Sequence, residues 1–357
     1  MKKLNVAIIG QGRSGRDIHG AFLHTEEAKE RFTVVAIVEE IPSRAERAKA
    51  EFGVPVFEKY TDLFDCGLTI DLVVNSSYSY LHAPISIDLL EHGFNVLCEK
   101  PAAHNTDEFD AMCAAAEKSG KFLGIFQQSR FAPYYVQVKK VIDSGVLGRL
   151  VDVDIRFNGY ARRWDLQTVL ANNGGSLRNT GPHPLDQALN ILNDYDHMPT
   201  VFCKMDYANT FGDAEDYCKL ILTAPEKPLI DLTISCCDGY PTCTYKIHGT
   251  RGSLKGDMQH IEWKYYDHEH APRQELVARG PISKPDGTPA YCSEKLEWTT
   301  ESWEGDPNGA FDSAVAAYYK DMYEFLTEGK PMEVQLFQVR QQIAVYQEAH
   351  RQNGHTD

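Results

Sequence analysis

The sequence predicts two domains, the first an α/β domain with a doubly wound parallel sheet and the second with a large, open, mostly antiparallel sheet. The chain has 357 residues, a length that fits about two domains. Its first third alternates short apolar segments with helix-like ones, the pattern of β-α-β units. Longer segments in the second half alternate polar and apolar residues, as strands with one buried face do. We therefore divide the chain into residues 1–125 and 126–357.

The elements of the first domain follow from its apolar segments and from the glycines that end its helices. Gly93 and Gly120 each follow a helical pattern, where glycine commonly ends a helix. The predicted strands are 6–9, 32–38, 54–57, 70–74, 95–98 and 121–126, and the predicted helices are 43–52, 83–91 and 106–118, with a helical turn at 61–64.

The second domain is predicted from alternation and from its terminal helical patterns. Residues 270–309 are rich in proline, glycine and charge, which predicts an irregular peripheral segment. The predicted strands are 150–160, 201–207, 216–223, 229–236, 244–248 and 261–266, and the predicted helices are 133–144, 184–192, 311–327 and 336–350.

The composition disfavours several classes of protein. A formal net charge of −15 argues against nucleic acid and anionic membranes as partners. No apolar segment approaches the length of a membrane span, and the start of the chain does not resemble a signal peptide. The nine cysteines are scattered without a C-x-x-C pair, which favours reduced thiols. We therefore expect a cytoplasmic protein with no metal site.

A glycine-rich motif follows the first predicted strand. Residues 6–15 read V-A-I-I-G-Q-G-R-S-G, an apolar segment that leads into G-x-G-x-x-G. In this motif Gly10 allows a tight turn, Gly12 leaves room for a pyrophosphate, and Gly15 lets helix and strand pack closely. The motif alone is weak, because a tight turn in any α/β protein can carry it. Its position between a strand and a helix favours a bound dinucleotide.

An acidic residue after the second predicted strand bears on the choice of dinucleotide. Glu39 follows that strand directly, where an acid can accept hydrogen bonds from ribose hydroxyls. Together with Glu40 it would repel a 2′-phosphate, which favours NAD. Arg44 is close enough in sequence to leave NADP open.

Two motifs carry residues suited to proton transfer. Cys98-Glu99-Lys100-Pro101 places a lysine at the carboxyl end of a predicted parallel strand, where ligands of open sheets bind. Residues 174–186 read G-G-S-L-R-N-T-G-P-H-P-L-D and place His183 at the start of a helix. Asn179 lies four residues before this histidine, and Asp186 could hold its ring. A surface lysine and a capping histidine remain the plain alternatives.

Three further groups are expected to line the same cleft. Residues 76–82 follow another strand, and Gln127, Gln128 and Arg130 follow the last one. Residues 162–165 read R-R-W-D and combine hydrogen-bonding groups with an aromatic face, a combination that suits a polyhydroxylated ligand. A solvated loop with one packing tryptophan is the alternative for this last group.

These motifs together resemble those of the Gfo/Idh/MocA oxidoreductases, the family of glucose-fructose oxidoreductase and inositol dehydrogenase. The resemblance covers nearly the whole chain and depends on several weak motifs in the right order. Besides those above it includes Ser77-Tyr78 with His82, Arg130 with Pro133, Trp164, Gly145-Val146-Leu147-Gly148 and Gly249-Thr250-Arg251-Gly252-Ser253-Leu254.

The resemblance implies a Rossmann domain that binds NAD(P) and a C-terminal sheet that forms homodimers or homotetramers. It implies oxidation of a secondary hydroxyl on a sugar, glycoside or cyclitol. Lys100 matches the family's active-site lysine and would bind the reacting oxygen. His183 matches its catalytic histidine and would take the hydroxyl proton, and His82 would lie near the nicotinamide.

The expected site residues form three sets. The catalytic set is Lys100, His183 and Asn179. The cofactor-binding set is Gly10, Gln11, Gly12, Arg13, Ser14, Gly15, Glu39, Ser77, Tyr78, His82, Glu99, Lys100, Gln128 and Trp164. The substrate-binding set is Lys100, Arg130, Arg163, Trp164, Asp165, Asn179 and His183.

The sequence departs from the family pattern at two positions, Asn179 and Tyr78. The family usually has aspartate four residues before the histidine, and asparagine can hydrogen-bond but cannot take a proton. Tyr78 stands where proline is common. These departures keep two alternatives open: a redox-assisted glycosidase that recycles its cofactor, and a non-catalytic regulator that binds dinucleotide and ligand.

Overall fold

The computed structural model describes residues 2–355 and contains two sheets, the first of which is fully parallel. Its strand order is β3-β2-β1-β4-β5-β6. The order reverses between β1 and β4, and ligands of such sheets bind outside the strand ends at that point. The strands are β1 (Leu4–Ile9), β2 (Phe32–Val38), β3 (Val56–Phe57), β4 (Leu72–Asn75), β5 (Val96–Cys98) and β6 (Leu123–Ile125).

Helices cover the first sheet and begin and end where the sequence places capping residues. The Asn105 side chain accepts a hydrogen bond from the Glu108 N–H, and Gly120 ends the same helix in a left-handed conformation. The glycine motif opens a π-helical segment, Arg13–Gly20, that continues into α1. The helices in this half are α1 (Ala21–Leu23), α2 (Glu26–Lys29), α3 (Pro42–Phe52), α4 (His82–Glu91) and α5 (Thr106–Ser119).

The second sheet has eight strands in the order β14-β13-β12-β11-β7-β10-β9-β8. All neighbours are antiparallel except β7 and β10, so the prediction of a mostly antiparallel sheet is confirmed. The strands are β7 (Leu150–Asn158), β8 (Thr200–Asp206), β9 (Tyr217–Thr223), β10 (Leu229–Ser235), β11 (Tyr245–Gly249), β12 (Gly252–Gly256), β13 (His260–Tyr265) and β14 (Thr299–Glu304).

Two strands and one helix start differ from the sequence prediction. β14 lies inside the segment expected to be irregular, and its side chains are almost all exposed, so it has no apolar alternation to detect. β12 was also not predicted, since glycine stands at both of its ends. The helix expected from residue 184 begins at Pro182, which places His183 within its first turn.

The last helices return to the first sheet. The Tyr318 hydroxyl donates to the Ile125 carbonyl at 2.7 Å, and the Tyr323 hydroxyl donates to the Lys2 carbonyl at 2.8 Å. The helix Ala310–Glu328 (α9) therefore packs with the first sheet although it follows the second sheet in sequence. Among residues 2–355, no helix is both long and apolar enough to span a membrane. The remaining helices are α6 (Pro133–Asp143), α7 (Ser176–Asn179), α8 (Pro182–Leu192), α9 (Ala310–Glu328) and α10 (Leu336–Gln352).

Candidate active site

The glycine loop after β1 has the shape that a pyrophosphate requires. Gly10 has a φ of +87°, and a Cβ there would lie 2.5 Å from the Ser76 carbonyl oxygen. A Cβ on Gly15 would lie 1.9 Å from the Gly10 carbonyl oxygen, so helix and loop pack too closely for a side chain. A Cβ on Gly12 would meet only the Arg44 guanidinium, at 3.9 Å, so this residue faces open space. The loop therefore fits a dinucleotide that approaches its backbone at Gly12.

The Glu39 carboxylate is bound to this loop. Its Oε2 accepts from the Gln11 N–H at 2.7 Å, and its Oε1 accepts from the Ile41 N–H at 2.8 Å. The side chain is buried, whereas the neighbouring Glu40 is exposed. Glu39 thus fixes the end of β2 to the glycine loop, and only its remaining lone pairs are available to a ribose.

The carboxyl end of β5 carries Glu99 and Lys100. The Glu99 carboxylate accepts from the Lys100 N–H at 3.0 Å and meets His19 Nε2 at 3.2 Å. His19 Nδ1 in turn meets the Tyr319 hydroxyl at 2.8 Å. Burial raises the pKa of Glu99, but the hydrogen bond and charge of His19 and the charge of Lys100 outweigh it and lower the pKa to about 2. A buried carboxylate thus holds the backbone of Lys100 in place.

The Lys100 side chain reaches the second half of the molecule. Its Nζ donates to the Asn179 carbonyl oxygen at 3.1 Å, a contact across 79 residues of sequence. Asn179 is the last residue of α7, and His183 lies one short turn further on in α8. The His183 N–H donates to the Thr180 carbonyl at 3.2 Å, which joins the two helices. Lys100 therefore contacts the main chain of Asn179, and His183 lies in the helix that follows.

Burial favours the uncharged forms of the two candidate catalytic groups. Desolvation, together with the charge of Lys100, lowers the pKa of His183 to about 3. Desolvation also lowers the pKa of Lys100, and Arg13 and Arg163 lower it further against the opposing charge of Glu99. His183 Nδ1 is buried and has no hydrogen-bond partner among residues 2–355. At neutral pH the imidazole is therefore a neutral acceptor of one proton.

The loop after β4 is tied to the same turn by His82. Its Nδ1 lies 2.7 Å from the Pro101 carbonyl oxygen and its Nε2 lies 3.1 Å from the Ser77 carbonyl oxygen. The Ser77 hydroxyl donates to the Asn75 side chain at 2.7 Å, and Tyr78 stacks on Tyr80. His82 therefore connects the β4 loop to the Lys100–Pro101 turn through main-chain oxygens.

The loop after β7 supplies exposed polar and aromatic groups. The Arg163 guanidinium forms a salt bridge with Asp165 at 2.8 Å. Trp164 is 77% exposed and meets Phe211 edge to face at 6.1 Å between ring centroids. Gln128, in contrast, is buried, and its Oε1 has no partner among the described residues.

Two residues have contacts that differ from the sequence expectation. Arg130, expected at the substrate, is buried and binds Asp186 with two hydrogen bonds of 2.8 and 2.6 Å. The Arg130 guanidinium is thus bound to a carboxylate rather than free for a substrate. Because His183 Nδ1 has no hydrogen-bond partner among residues 2–355, Asp186 does not hold the His183 ring through this atom. A buried arginine needs a carboxylate partner, and the sequence did not reveal which one it would have.

Sequence reasoning missed a buried acid beside α7. Glu215 is only 2% exposed, and its Oε1 accepts from the Leu177 N–H at 2.8 Å. It borders a cavity of about 30 Å³, space for about one water-sized group, that is also lined by Arg163, Asn179 and Thr180. The glycine pair before α7 indicates a tight turn, but no local pattern links it to Glu215, whose Oε2 would lie 2.2 Å from a Cβ on Gly175.

Comparison with known proteins agrees with this architecture. Residues 4–127 match the family model described as an oxidoreductase family with an NAD-binding Rossmann fold, and residues 135–255 match the Gfo/Idh/MocA C-terminal domain. The chain belongs to the Gfo/Idh/MocA oxidoreductase family. Its first domain is thus an NAD-binding Rossmann domain, as predicted.

Three relatives illustrate the range of similarity. Inositol 2-dehydrogenase 2 of Saccharopolyspora erythraea is 26% identical over 316 residues, which cover 86% of this chain and 87% of that protein. D-glucoside 3-dehydrogenase of Escherichia coli is 29% identical over 195 residues, covering 53% and 54%. The WlbA dehydrogenase of Bordetella pertussis, solved with NADH and UDP-GlcNAcA, shares the fold with a TM-score of 0.76 at 20% identity, covering 98% and 95%.

Proposed function

We propose that this oxidoreductase uses NAD to oxidise a secondary hydroxyl of a sugar, glycoside or cyclitol. The observation that carries the proposal is the meeting of Lys100, Asn179 and His183, with Lys100 Nζ 3.1 Å from the Asn179 carbonyl oxygen. In a family of NAD-binding oxidoreductases, a lysine and a neutral imidazole in one cleft supply a hydrogen-bond donor and a proton acceptor. The bound nicotinamide would supply the hydride acceptor.

Each side chain has a distinct part in the proposed reaction. The Lys100 ammonium donates a hydrogen bond to the reacting oxygen and stabilises the charge that develops there. His183, neutral because burial lowers its pKa to about 3, accepts the hydroxyl proton. Asn179 holds Lys100 through its carbonyl group and leaves its side-chain amide available to a substrate hydroxyl. The Glu99 carboxylate fixes the Lys100 backbone by accepting a hydrogen bond from its N–H.

The proposed substrate class rests on the lining of the cleft and on the relatives. Arg163 and Asp165 offer hydrogen bonds, and the exposed face of Trp164 suits a sugar or cyclitol ring. The named relatives include an inositol dehydrogenase and a glucoside dehydrogenase. We propose a small polyhydroxylated substrate and no nucleic acid or membrane partner, consistent with a net charge of −15.

We also propose that the second sheet joins copies of this chain into a homodimer or homotetramer. Its outer face carries the cross-strand salt bridge between Lys219 and Asp231 at 2.6 Å beside exposed apolar side chains such as Phe202. Light scattering coupled to gel filtration tests this, and a monomeric mass would refute it.

The central test mixes the protein with NAD, or separately NADP, and a panel of inositols, free sugars and glycosides while NADH absorbance is followed. Net formation of reduced cofactor with a panel member supports the proposal. Release of aglycone without net NADH would instead identify a redox-assisted glycosidase. Binding of cofactor and polyol with neither product would identify a ligand-binding regulator.

A further inference from the structure

The buried carboxyl of Glu215 has no role in the reaction described above, yet it is attached to the segment that holds the catalytic pair. Glu215 directly precedes Asp216 and β9, and its side chain points to the start of α7 rather than to solvent. Its Oε1 accepts from the Leu177 N–H, and its main-chain carbonyl accepts from the Ser176 N–H at 2.8 Å. Two of its groups therefore hold the first two residues of α7.

The helix held in this way is too short to be stable by itself. α7 consists of only four residues, Ser176–Asn179, and helices of this length depend on tertiary contacts. Its last residue, Asn179, provides the carbonyl oxygen that Lys100 Nζ contacts at 3.1 Å. A continuous set of contacts thus leads from Glu215 through α7 to Lys100.

The backbone at Gly175 approaches this carboxyl so closely that a side chain there would collide with it. Gly175 has a φ of +103°, and a Cβ on it would lie 2.2 Å from Glu215 Oε2. Oε2 itself is buried and has no hydrogen-bond partner among residues 2–355. A buried oxygen without a partner in the protein costs stability, so packing alone does not account for an acid at this position.

We propose that Glu215 is a positioning residue for the catalytic pair: its side chain anchors the start of α7 so that the Asn179 carbonyl holds Lys100 facing His183. The inference rests on the proposed function for its catalytic meaning, and on the contacts of Glu215 with Leu177 and of Lys100 with Asn179 for its structural meaning. An ionised carboxylate is the stronger acceptor for the Leu177 N–H, so the anchor is tightest when Glu215 is charged.

The surroundings make this charge sensitive to pH near neutrality. Burial raises the pKa of Glu215 to about 7, against the opposing hydrogen bond from Leu177 and the charge of Arg178. The titratable groups that face Glu215 from the packed elements are Arg178 of α7, Asp216 and Cys218 beside it, Tyr207 after β8, and Arg163 and Cys236 across the cavity.

The test measures Lys100 directly and needs no substrate. The full-length protein is acylated with sulfosuccinimidyl acetate, and the rate at Lys100 is followed by peptide mass spectrometry in the wild type, Glu215→Gln and Glu215→Ala. Loss of a charged hydrogen bond should raise that rate by about tenfold in Glu215→Ala. Glu215→Gln keeps a hydrogen-bond acceptor for the Leu177 N–H. Its Lys100 acylation rate should stay within about twofold of the wild-type rate at low pH.

The neighbouring Asp216 gives a matched control. It is also buried, but its carboxylate accepts from the Ala208 and Asn209 N–H groups, each at 2.6 Å, rather than from α7. Asp216→Asn should leave the Lys100 rate unchanged at a pH well above 7, where Glu215 is ionised in both proteins. An equal rise of the Lys100 acylation rate in Glu215→Ala and Asp216→Asn would show that the loop is loosened in general, and it would overturn the proposal.

The pH profile separates positioning from a purely structural role. The wild-type Lys100 rate should show an added inflection near pH 7, as Glu215 ionises, and Glu215→Gln should lack it. Identical profiles would overturn the proposal, even if Glu215→Ala failed to fold. Where turnover is found, Glu215→Ala should lower kcat by on the order of 100-fold with little change in KM, because it misplaces Lys100. A protein that oxidises no panel member but shows the labelling pattern would refute the proposed function and keep the positioning role.

Discussion

The glycine loop and the Lys100–His183 cluster are built in opposite ways. The loop needs the absence of side chains, since a Cβ on Gly15 would lie 1.9 Å from the Gly10 carbonyl oxygen. The cluster needs particular side chains from distant segments, since Lys100 and Asn179 are 79 residues apart. Backbone shape therefore defines the cofactor end, and tertiary packing defines the end proposed for chemistry.

The glycine loop and the Lys100–His183 cluster should therefore tolerate different substitutions. At the glycine loop, a small added side chain changes the shape of the loop and its binding of the cofactor, but it alters no charge. At the cluster, a side chain can be removed without steric conflict, but the protonation of its neighbours changes because burial already lowers the pKa values of Lys100 and His183. The variants below test whether the two ends can be perturbed separately.

The largest effect is expected from His183→Ala. Removal of the proton acceptor should lower turnover by about 1000-fold, within the range typical of general bases. NAD affinity should stay within about twofold, because the glycine loop makes no use of this side chain. Assays of NADH formation and NAD-dependent fluorescence measure the two quantities, with the surface variant His92→Ala as control. Turnover that persists in His183→Ala would remove the residue from the catalytic role.

The next effect concerns stability rather than chemistry. Asp186→Ala leaves the buried Arg130 without its partner and should lower the free energy of unfolding by about 3–5 kcal/mol. The exposed pair of Arg340 and Asp110 has similar two-bond geometry, and Asp110→Ala should cost about 0–1 kcal/mol. Denaturant unfolding compares the two variants. Equal losses would contradict a structural role for the buried pair.

The sequence predicted the elements that depend on local patterns and missed those that depend on distant partners. The glycine loop and the capped helix α5 were predicted from local motifs, whereas the expectation that Lys100 and His183 share a site came from the resemblance to the family. The partner of Arg130 was not, because Asp186 is 56 residues away and no local pattern pairs them. Strand β14 was missed because its exposed side chains carry no alternation.

Two glycines of the loop should respond differently to the same change. Gly15→Ala forces a Cβ against the Gly10 carbonyl and should destabilise the fold by about 3 kcal/mol. Gly12→Ala meets only the Arg44 guanidinium at 3.9 Å, so stability should hold while NAD affinity falls by about tenfold. Thermal unfolding measures the stability of each variant, and NAD titration measures its affinity for NAD. If Gly12→Ala bound NAD normally, the pyrophosphate would not approach at this residue.

The smallest expected effect is that of Asn179→Asp. A new carboxylate beside Lys100 favours the protonated forms of Lys100 and His183, so the pKa values of both should rise. Because His183 must be neutral to accept a proton, the pH at which turnover reaches half its maximum should also rise. A pH–rate profile of the variant and the wild type measures this shift, and superimposable profiles would contradict the assigned positions of these groups.

The most direct test of the proposed reaction follows the transferred hydrogen. A polyol that is active in the panel is prepared with deuterium on its hydroxyl-bearing carbons and mixed with NAD and the wild type or His183→Ala. Mass spectrometry should show deuterium in the reduced cofactor that the wild type forms, and the variant should form about 1000-fold less deuterated cofactor in the same time. Reduced cofactor without deuterium, or equal amounts of deuterated cofactor from both proteins, would contradict hydride transfer assisted by His183.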